Sequence, residues 1–100
     1  MKLGIVGAGK IVTEVLSFIR EIPAISLSAI FARPNREELL LDLQNTYGIS
    51  RIYLDYSTML QDTEVETVYI ALPNHLHYSY AKEALQNGKH VICEKPFTSN

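Results

Sequence analysis

The sequence predicts an α/β fold in which helices cover both faces of a parallel sheet of five strands. Two observations lead to this prediction. Short apolar runs recur five times along the 100 residues, and most of the segments between them carry apolar residues at helical spacing. Because crossovers between parallel strands are almost always right-handed, we expect a doubly wound sheet with the strand order 3-2-1-4-5.

Each predicted element has its own signal in the sequence. The five predicted strands are Lys2–Val6, Ser26–Phe31, 51–54, 67–71 and His90–Cys93. Helices are predicted over 10–21, from Pro34 to Gly48 and over 75–86, with a brief helix that Asp55 or Ser57 is able to cap. The residues expected to face the core are Ile11, Val12, Val15, Leu16 and Ile19 in the first helix, Leu39, Leu40, Leu43 and Tyr47 in the second, and Ala81, Ala84 and Leu85 in the last. Cys93 is expected to be a buried strand residue.

Charge and cysteine content exclude several classes of function. The chain has 9 basic and 11 acidic residues, so it lacks the basic surface that nucleic-acid binding requires. No apolar run approaches the ~18 residues of a membrane span. Three histidines and one cysteine do not have zinc-ligand spacing, and we predict no metal site. A single cysteine cannot form an internal disulfide, so a reducing cytoplasm is the simplest setting.

A glycine-rich turn follows the first strand directly and opens the first helix, which is the context of the dinucleotide-binding fingerprint. Gly7 allows the tight turn, and Gly9 leaves room for a pyrophosphate to approach the helix N-terminus. The amides at the start of this helix belong to Lys10, Ile11 and Val12. Val12 stands where the fingerprint has a small residue, so it should displace the helix slightly or face a small neighbour. We therefore expect a Rossmann-like cofactor site.

The end of the second strand indicates which dinucleotide binds. NAD sites carry an acidic residue about 20 residues beyond the glycines, but the chain has Ala32 and Arg33 at the strand end. Ala32 removes a charge that would repel a 2′-phosphate, and the Arg33 guanidinium suits phosphate oxygens. We predict that NADP(H) is preferred over NAD(H). The alternative is that Arg33 and Arg36 are solvated charges that balance Glu37 and Glu38.

Two later segments carry a more specific pattern. The fourth strand runs into PNHLH at 73–77, and the last strand lies in GKHV at 88–91, which leads to EKP at 94–96. Together with the glycine turn, these segments resemble the glucose–fructose oxidoreductase, inositol dehydrogenase and MocA family over essentially the whole chain. Both segments follow predicted strands, at the sheet edge where α/β proteins bind ligands.

The resemblance implies roles for residues near the fourth strand. Leu72, Pro73 and Asn74 would line the cofactor groove, and His77 would lie near it at the start of the following helix. His75 is expected to face solvent at the same helix start. For His77 the alternative is a purely structural role.

The resemblance also implies that Glu94 and Lys95 lie beside the nicotinamide and its ribose, with Pro96 holding Lys95 in an extended conformation. Lys95 is the candidate catalytic residue, since it could donate to or polarise the reacting substrate oxygen. The alternative is that Lys95 is a surface lysine that follows a strand.

Family resemblance further implies a parent enzyme that transfers hydride between NADP(H) and a hydroxyl or carbonyl carbon of a sugar, cyclitol or similar small polyol. Most substrate contacts would come from a second domain that the 100 residues do not include. We expect the isolated chain to be inactive. Its fifth strand should form an open edge, so that the chain either self-associates into homo-oligomers or is only marginally stable. A non-catalytic cofactor sensor and an interaction domain without cofactor are the alternatives.

Overall fold

The central strand of the sheet is β1, and the strands follow the order β3-β2-β1-β4-β5. The computed structural model describes residues 1–93. The strands are β1 Lys2–Val6, β2 Ser26–Phe31, β3 Arg51–Tyr53, β4 Thr67–Ile70 and β5 His90–Cys93, and the helices are α1 Lys10–Ile19, α2 Glu37–Tyr47, α3 Tyr56–Leu60 and α4 Asn74–Gln86. All pairings are parallel, so the predicted fold class and strand order are confirmed.

The strand register places the ends of three strands side by side. Val6 at the end of β1 pairs with Phe31 of β2 and with Ile70 of β4. The order reverses at β1, because the chain crosses first to β2 on one side and later to β4 on the other. Such a reversal leaves a crevice at the carboxyl edge of a doubly wound sheet, where ligands bind.

The sheet separates two layers of apolar side chains. On one face, strand residues pack with α1 and α2: Leu3, Ile5, Ile30, Val12, Leu16, Ile19, Leu40 and Leu43. On the other face, strand residues pack with α3 and α4: Val6, Phe31, Val68, Ile70, Tyr56, Met59, Leu60 and Ala84. Val12 is fully buried in the same cluster as the small residues Ala8 and Ala32.

Several element ends differ from the prediction by one or two residues. Helix α1 ends at Ile19 rather than at residue 21, because the chain tightens there into hydrogen bonds between residues three apart. A 3₁₀ turn, Pro34–Arg36, precedes α2. Strands β3 and β4 each end one residue earlier than predicted, and α4 begins one residue earlier. Asp55 caps α3, since its Oδ2 accepts the Thr58 N–H at 2.9 Å.

Three predictions of burial are wrong. Ile11 is 45% exposed and Leu85 is 61% exposed, although both were expected to face the core. Each is adjacent to a fully buried helix residue, Val12 or Ala84, and one residue turns the helix by about 100°. Cys93 is exposed because it ends β5, which pairs only with β4 within residues 1–93.

A polar network fixes the turn between α3 and β4. The carboxylate of Asp62 accepts two hydrogen bonds from Arg51 Nη1, at 2.8 and 2.9 Å, and one from the Tyr53 hydroxyl at 2.6 Å. Asp62 Oδ1 also accepts the Glu64 N–H at 2.8 Å. Lys89 Nζ donates to the carbonyl oxygens of Asp62 and Val65, at 3.0 and 2.6 Å, so this turn is joined to the start of β5.

Candidate functional site

The turn after β1 is shaped by a glycine that no other residue replaces easily. Gly7 has a φ of 121°, and a Cβ at this position would lie 2.7 Å from the Ala71 carbonyl oxygen. The Gly7 N–H donates to the carbonyl oxygen of Phe31 at 2.8 Å, and the Ala71 N–H donates to that of Val6 at 3.0 Å. The turn is therefore held against the ends of both β2 and β4.

The N-terminus of α1 is open at this turn. Gly9 precedes the helix, and a Cβ added to it would meet nothing within 4 Å. Within residues 1–93 the N–H groups of Gly9, Lys10 and Ile11 have no acceptor, and the first turn carries no acidic side chain. Unpaired amides and the helix dipole make such a terminus suitable for an anion, which fits the phosphates of a dinucleotide.

One wall of the adjoining groove comes from the end of β2 and the turn that follows. Ala32 is buried, whereas Arg33, Asn35 and Arg36 are exposed and line the groove. Neither Arg33 nor Arg36 makes a side-chain hydrogen bond or ion pair with any residue in the described part of the chain. Both guanidinium groups are therefore available to a ligand.

The opposite wall comes from the end of β4 and the first turns of α4. Leu72, Pro73, His75 and Leu76 line it. His77 does not line the groove, but its Nε2 donates to the Leu72 carbonyl oxygen at 2.7 Å. This hydrogen bond fixes the backbone of the wall. Helix α4 also begins without a side-chain cap and without an acidic residue in its first turn.

Aromatic rings lie where the two walls meet. Phe31 and Tyr80 both line the groove, with their ring centroids 6.2 Å apart. Tyr56 packs against both rings, at 5.5 and 4.6 Å between centroids, and its hydroxyl donates to the Tyr80 carbonyl oxygen at 2.8 Å. Burial raises the pKa of the Tyr56 hydroxyl far above its ordinary value, so it remains a neutral donor.

The resulting groove has a volume of about 480 Å³, within the usual range for small-molecule sites. Its described lining contains two arginines and no Asp or Glu. The predicted site residues that line it are Gly7, Gly9, Ala32, Arg33, Leu72 and Pro73. The side chains of Lys10, Ile11, Val12, Asn74 and His77 do not line it. Glu94, Lys95 and Pro96 lie outside the described residues.

Sequence reasoning missed part of the groove. The sequence predicts Phe31 only as a strand residue, Tyr80 only as a helix residue that packs or faces solvent, and Arg36 only as a solvated charge that balances Glu37 and Glu38. His75 is exposed as expected, but it also lines the groove. A signal for Arg36 was present in the sequence, because it follows Arg33 by only three residues and both line the groove. Nothing in the local pattern indicated Tyr80, because its place depends on how α4 packs.

Comparison with known proteins agrees with this geometry. Residues 1–100 match the model of a family described as an oxidoreductase family with an NAD-binding Rossmann fold, GFO_IDH_MocA. The chain belongs to this family. The resemblance inferred from the PNHLH, GKHV and EKP segments is confirmed.

Two curated relatives illustrate the match. An uncharacterized oxidoreductase, ORF334, from Rhizobium meliloti is 38% identical over 97 residues, which are 96% of this chain and 28% of that protein. D-xylose 1-dehydrogenase (NADP(+)) 2 from Haloferax volcanii is 34% identical over 100 residues, which are 100% of this chain and 30% of that protein. The chain thus spans less than a third of the length of the curated relatives it matches.

A solved structure superimposes closely on this chain. The 3-ketoreductase from Actinomadura kijaniata, in complex with NADP and TDP-benzene, matches with a TM-score of 0.85 and 28% identity. The match covers 98% of this chain and 30% of that chain. The architecture described above is therefore shared with part of a ketoreductase that was solved with NADP.

Two further features of the described part bear on the site. Between residues 1 and 93 no helix has the length and apolar character of a membrane span. The same residues contain no group of three or more His, Cys, Asp or Glu side chains placed to hold a metal ion.

Proposed function

We propose that this chain is the cofactor-binding part of an oxidoreductase that prefers NADP(H) to NAD(H). The observation that carries the proposal is the charge of the groove. Arg33 and Arg36 line it without partners among residues 1–93, and no carboxylate lies in its described lining. A 2′-phosphate needs such donors, whereas a free ribose is bound by an acidic side chain.

The dinucleotide fits the remaining features of the groove. Its pyrophosphate would be bound by the open amides beside Gly9. The adenosine half would lie between the wall that follows β2, which includes Arg33, and the wall at the start of α4, which includes Leu72. Support for NADP(H) also comes from relatives, since the name of the D-xylose 1-dehydrogenase specifies NADP(+) and the 3-ketoreductase was solved with NADP.

The test is a calorimetric titration of NADPH and NADH into the wild-type chain, Arg33→Ala and Lys82→Ala. Lys82→Ala is the control, because it removes a positive charge from α4 at a residue that does not line this groove. Arg33→Ala should weaken NADPH binding about tenfold, since a hydrogen bond to a charged group is worth about 1.5–3 kcal/mol, and should change NADH binding less than about twofold. Equal affinities of the wild type for both cofactors would overturn the preference.

We also propose that the parent enzyme transfers hydride between the nicotinamide and a carbon that bears a hydroxyl or carbonyl group. The bound cofactor would supply or accept the hydride. Lys95 would donate to or polarise the reacting oxygen, with Glu94 beside the ribose and Pro96 restricting the Lys95 backbone. The support is the EKP segment, which follows β5 directly in a chain of this family.

A sugar, cyclitol or similar small polyol is the proposed substrate class, since one relative is a D-xylose dehydrogenase. Because the chain spans less than a third of its relatives, most substrate contacts and the proton-transfer partner would come from a second domain. We expect the 100-residue chain to bind NADPH without oxidising it in the presence of sugar ketones, as followed by absorbance. Sustained NADPH oxidation by this chain alone would contradict that division of roles.

The open edge of β5 supports a proposal of homo-oligomers. Within residues 1–93 only β4 pairs with it, and unpaired edges of this kind associate readily with other chains. Sedimentation of the 100-residue chain should show association that increases with concentration, and a monomer at all concentrations would contradict it.

We place the protein in the cytoplasm, on the basis of its single cysteine.

A further inference from the structure

The two walls of the groove touch each other through the rings of Phe31 and Tyr80, whose centroids lie 6.2 Å apart, but they belong to different strands and helices. Helix α4, which carries one wall, packs on β4 and β5. The other wall continues from β2, and the short helix α3 packs on β2 and β3. Any contact between α3 and α4 therefore helps to determine how far apart the two walls lie.

Two side-chain hydrogen bonds join α3 to α4, and a third joins the residues that cap the C-terminal ends of the two helices. The Tyr56 hydroxyl donates to the Tyr80 carbonyl oxygen at 2.8 Å, Ser57 Oγ donates to Glu83 at 2.6 Å, and Gln61 Nε2 donates to Asn87 at 2.8 Å. Only the first of these bonds involves a residue that lines the groove, because Tyr80 does and the other partners do not.

Tyr56 also contacts the opposite wall. Its ring lies 5.5 Å from that of Phe31, whose carbonyl oxygen accepts the Gly7 N–H. Tyr56 as a whole residue is only 7% exposed, and it is absent from the lining of the groove. The buried Tyr56 side chain thus contacts a residue of each wall. Through Phe31 it is also linked to the glycine turn.

We propose that Tyr56 is a positioning residue for the dinucleotide: its hydroxyl holds the α4 wall at a fixed distance from the β2 wall without touching the cofactor. This inference rests on the proposed function, because it concerns the same groove. Removal of the hydroxyl leaves the rings in contact but frees α4 to shift, so the bound cofactor loses part of its preorganised site.

The test compares the NADPH dissociation constants of wild type, Tyr56→Phe and Gln61→Ala, at a temperature where circular dichroism shows all three folded. Tyr56→Phe should weaken NADPH binding about fivefold, the equivalent of one ordinary hydrogen bond. Gln61→Ala removes the hydrogen bond between the C-caps of α3 and α4, which is the one of the three that lies farthest from Tyr56 in the sequence. This variant should change affinity less than about twofold. A merely structural role would lower the stability of both variants and leave both affinities unchanged.

Hydrogen exchange of the wild type provides a second measurement that does not depend on a folded variant. Saturation with NADPH should protect the α3 amides more than those at the C-terminal end of α2, which receive only the global effect of binding. Equal affinities of wild type and Tyr56→Phe, or equal protection of α3 and α2, would overturn the role of Tyr56. If the wild type binds no dinucleotide at all, the proposed function itself fails.

Discussion

A Cβ atom on Gly7 would lie 2.7 Å from the carbonyl oxygen of Ala71. Gly7 lies in the turn after β1 and Ala71 in the turn after β4. Their close approach therefore sets the distance between these two turns, at the point where the strand order reverses. The requirement for glycine at position 7 is thus steric as well as conformational, because the φ of 121° is rarely adopted by other residues.

Gly7→Ala should destabilise the fold by about 3 kcal/mol, since strain at a position of this kind costs about 1–3 kcal/mol before the clash with Ala71 is added. The measurement is chemical denaturation followed by circular dichroism. A stability within about 0.5 kcal/mol of the wild type, the range usual for neutral surface substitutions, would show that the turn relaxes freely.

Gly9→Ala should behave differently. The φ of Gly9 is −83° and a Cβ there meets nothing within 4 Å, so the fold should lose no more than about 1 kcal/mol. The added methyl group instead occupies space beside the open α1 amides, and we expect NADPH binding to weaken at least tenfold, a change of about 1.4 kcal/mol. Calorimetry on the folded variant tests this, and unchanged binding would place the phosphates elsewhere.

Acid should destabilise the chain through Asp62. Burial opposes ionisation of this carboxyl group, but hydrogen bonds from Tyr53, the Glu64 N–H and Arg51 outweigh it, and the pKa of Asp62 is lowered. A lowered folded-state pKa means that the stabilisation is present above the unfolded pKa, near 4, and is lost as the pH falls through the folded value.

Asp62→Asn should therefore lower stability at pH 7 by about 2 kcal/mol and flatten the decline in stability below about pH 5. Asp42→Asn is the matched control, because Asp42 is exposed on α2 and has no partner among residues 1–93. The comparison uses urea denaturation from pH 7 to pH 3. Identical pH profiles for Asp62→Asn and the wild type would rule out this account.

Two apolar residues of α1 should respond very differently to truncation. Leu16 is fully buried, so Leu16→Ala should cost about 3 kcal/mol through lost burial and a cavity. Ile11 is 45% exposed, and Ile11→Ala should cost less than about 0.5 kcal/mol. Thermal denaturation of both variants checks the contrast, and a comparable loss for Ile11→Ala would mean that this side chain is covered in solution.

Most of the fold followed from local pattern. The apolar runs predicted the five strands, and the handedness of crossovers then left little choice of order. The glycine turn was placed correctly because its signal is local: a strand, two glycines and a helix in succession. Asp55 was one of two candidate caps, and its side chain accepts the Thr58 N–H as a capping residue does.

Errors arose where burial depends on distant parts of the chain. Leu85 and Cys93 fit apolar patterns, but α4 and β5 lie at the side of the sheet that has no further strand within residues 1–93. Tyr80 belongs to the groove only because Tyr56 and Phe31, 24 and 49 residues earlier, pack against it. Periodicity carries no information on such pairings, so the sequence alone does not predict this part of the site.

Engagement of Lys89 by two carbonyl oxygens also has a consequence for chemical labelling. Amine-directed reagents attack a neutral, accessible amino group, whereas the Lys89 amino group donates to Asp62 and Val65 and is partly buried. Acylation of Lys89 requires its amino group to leave these two carbonyl oxygens. The rate at which Lys89 is labelled, relative to the exposed Lys10 and Lys82, therefore measures how often these two hydrogen bonds open at this end of the sheet.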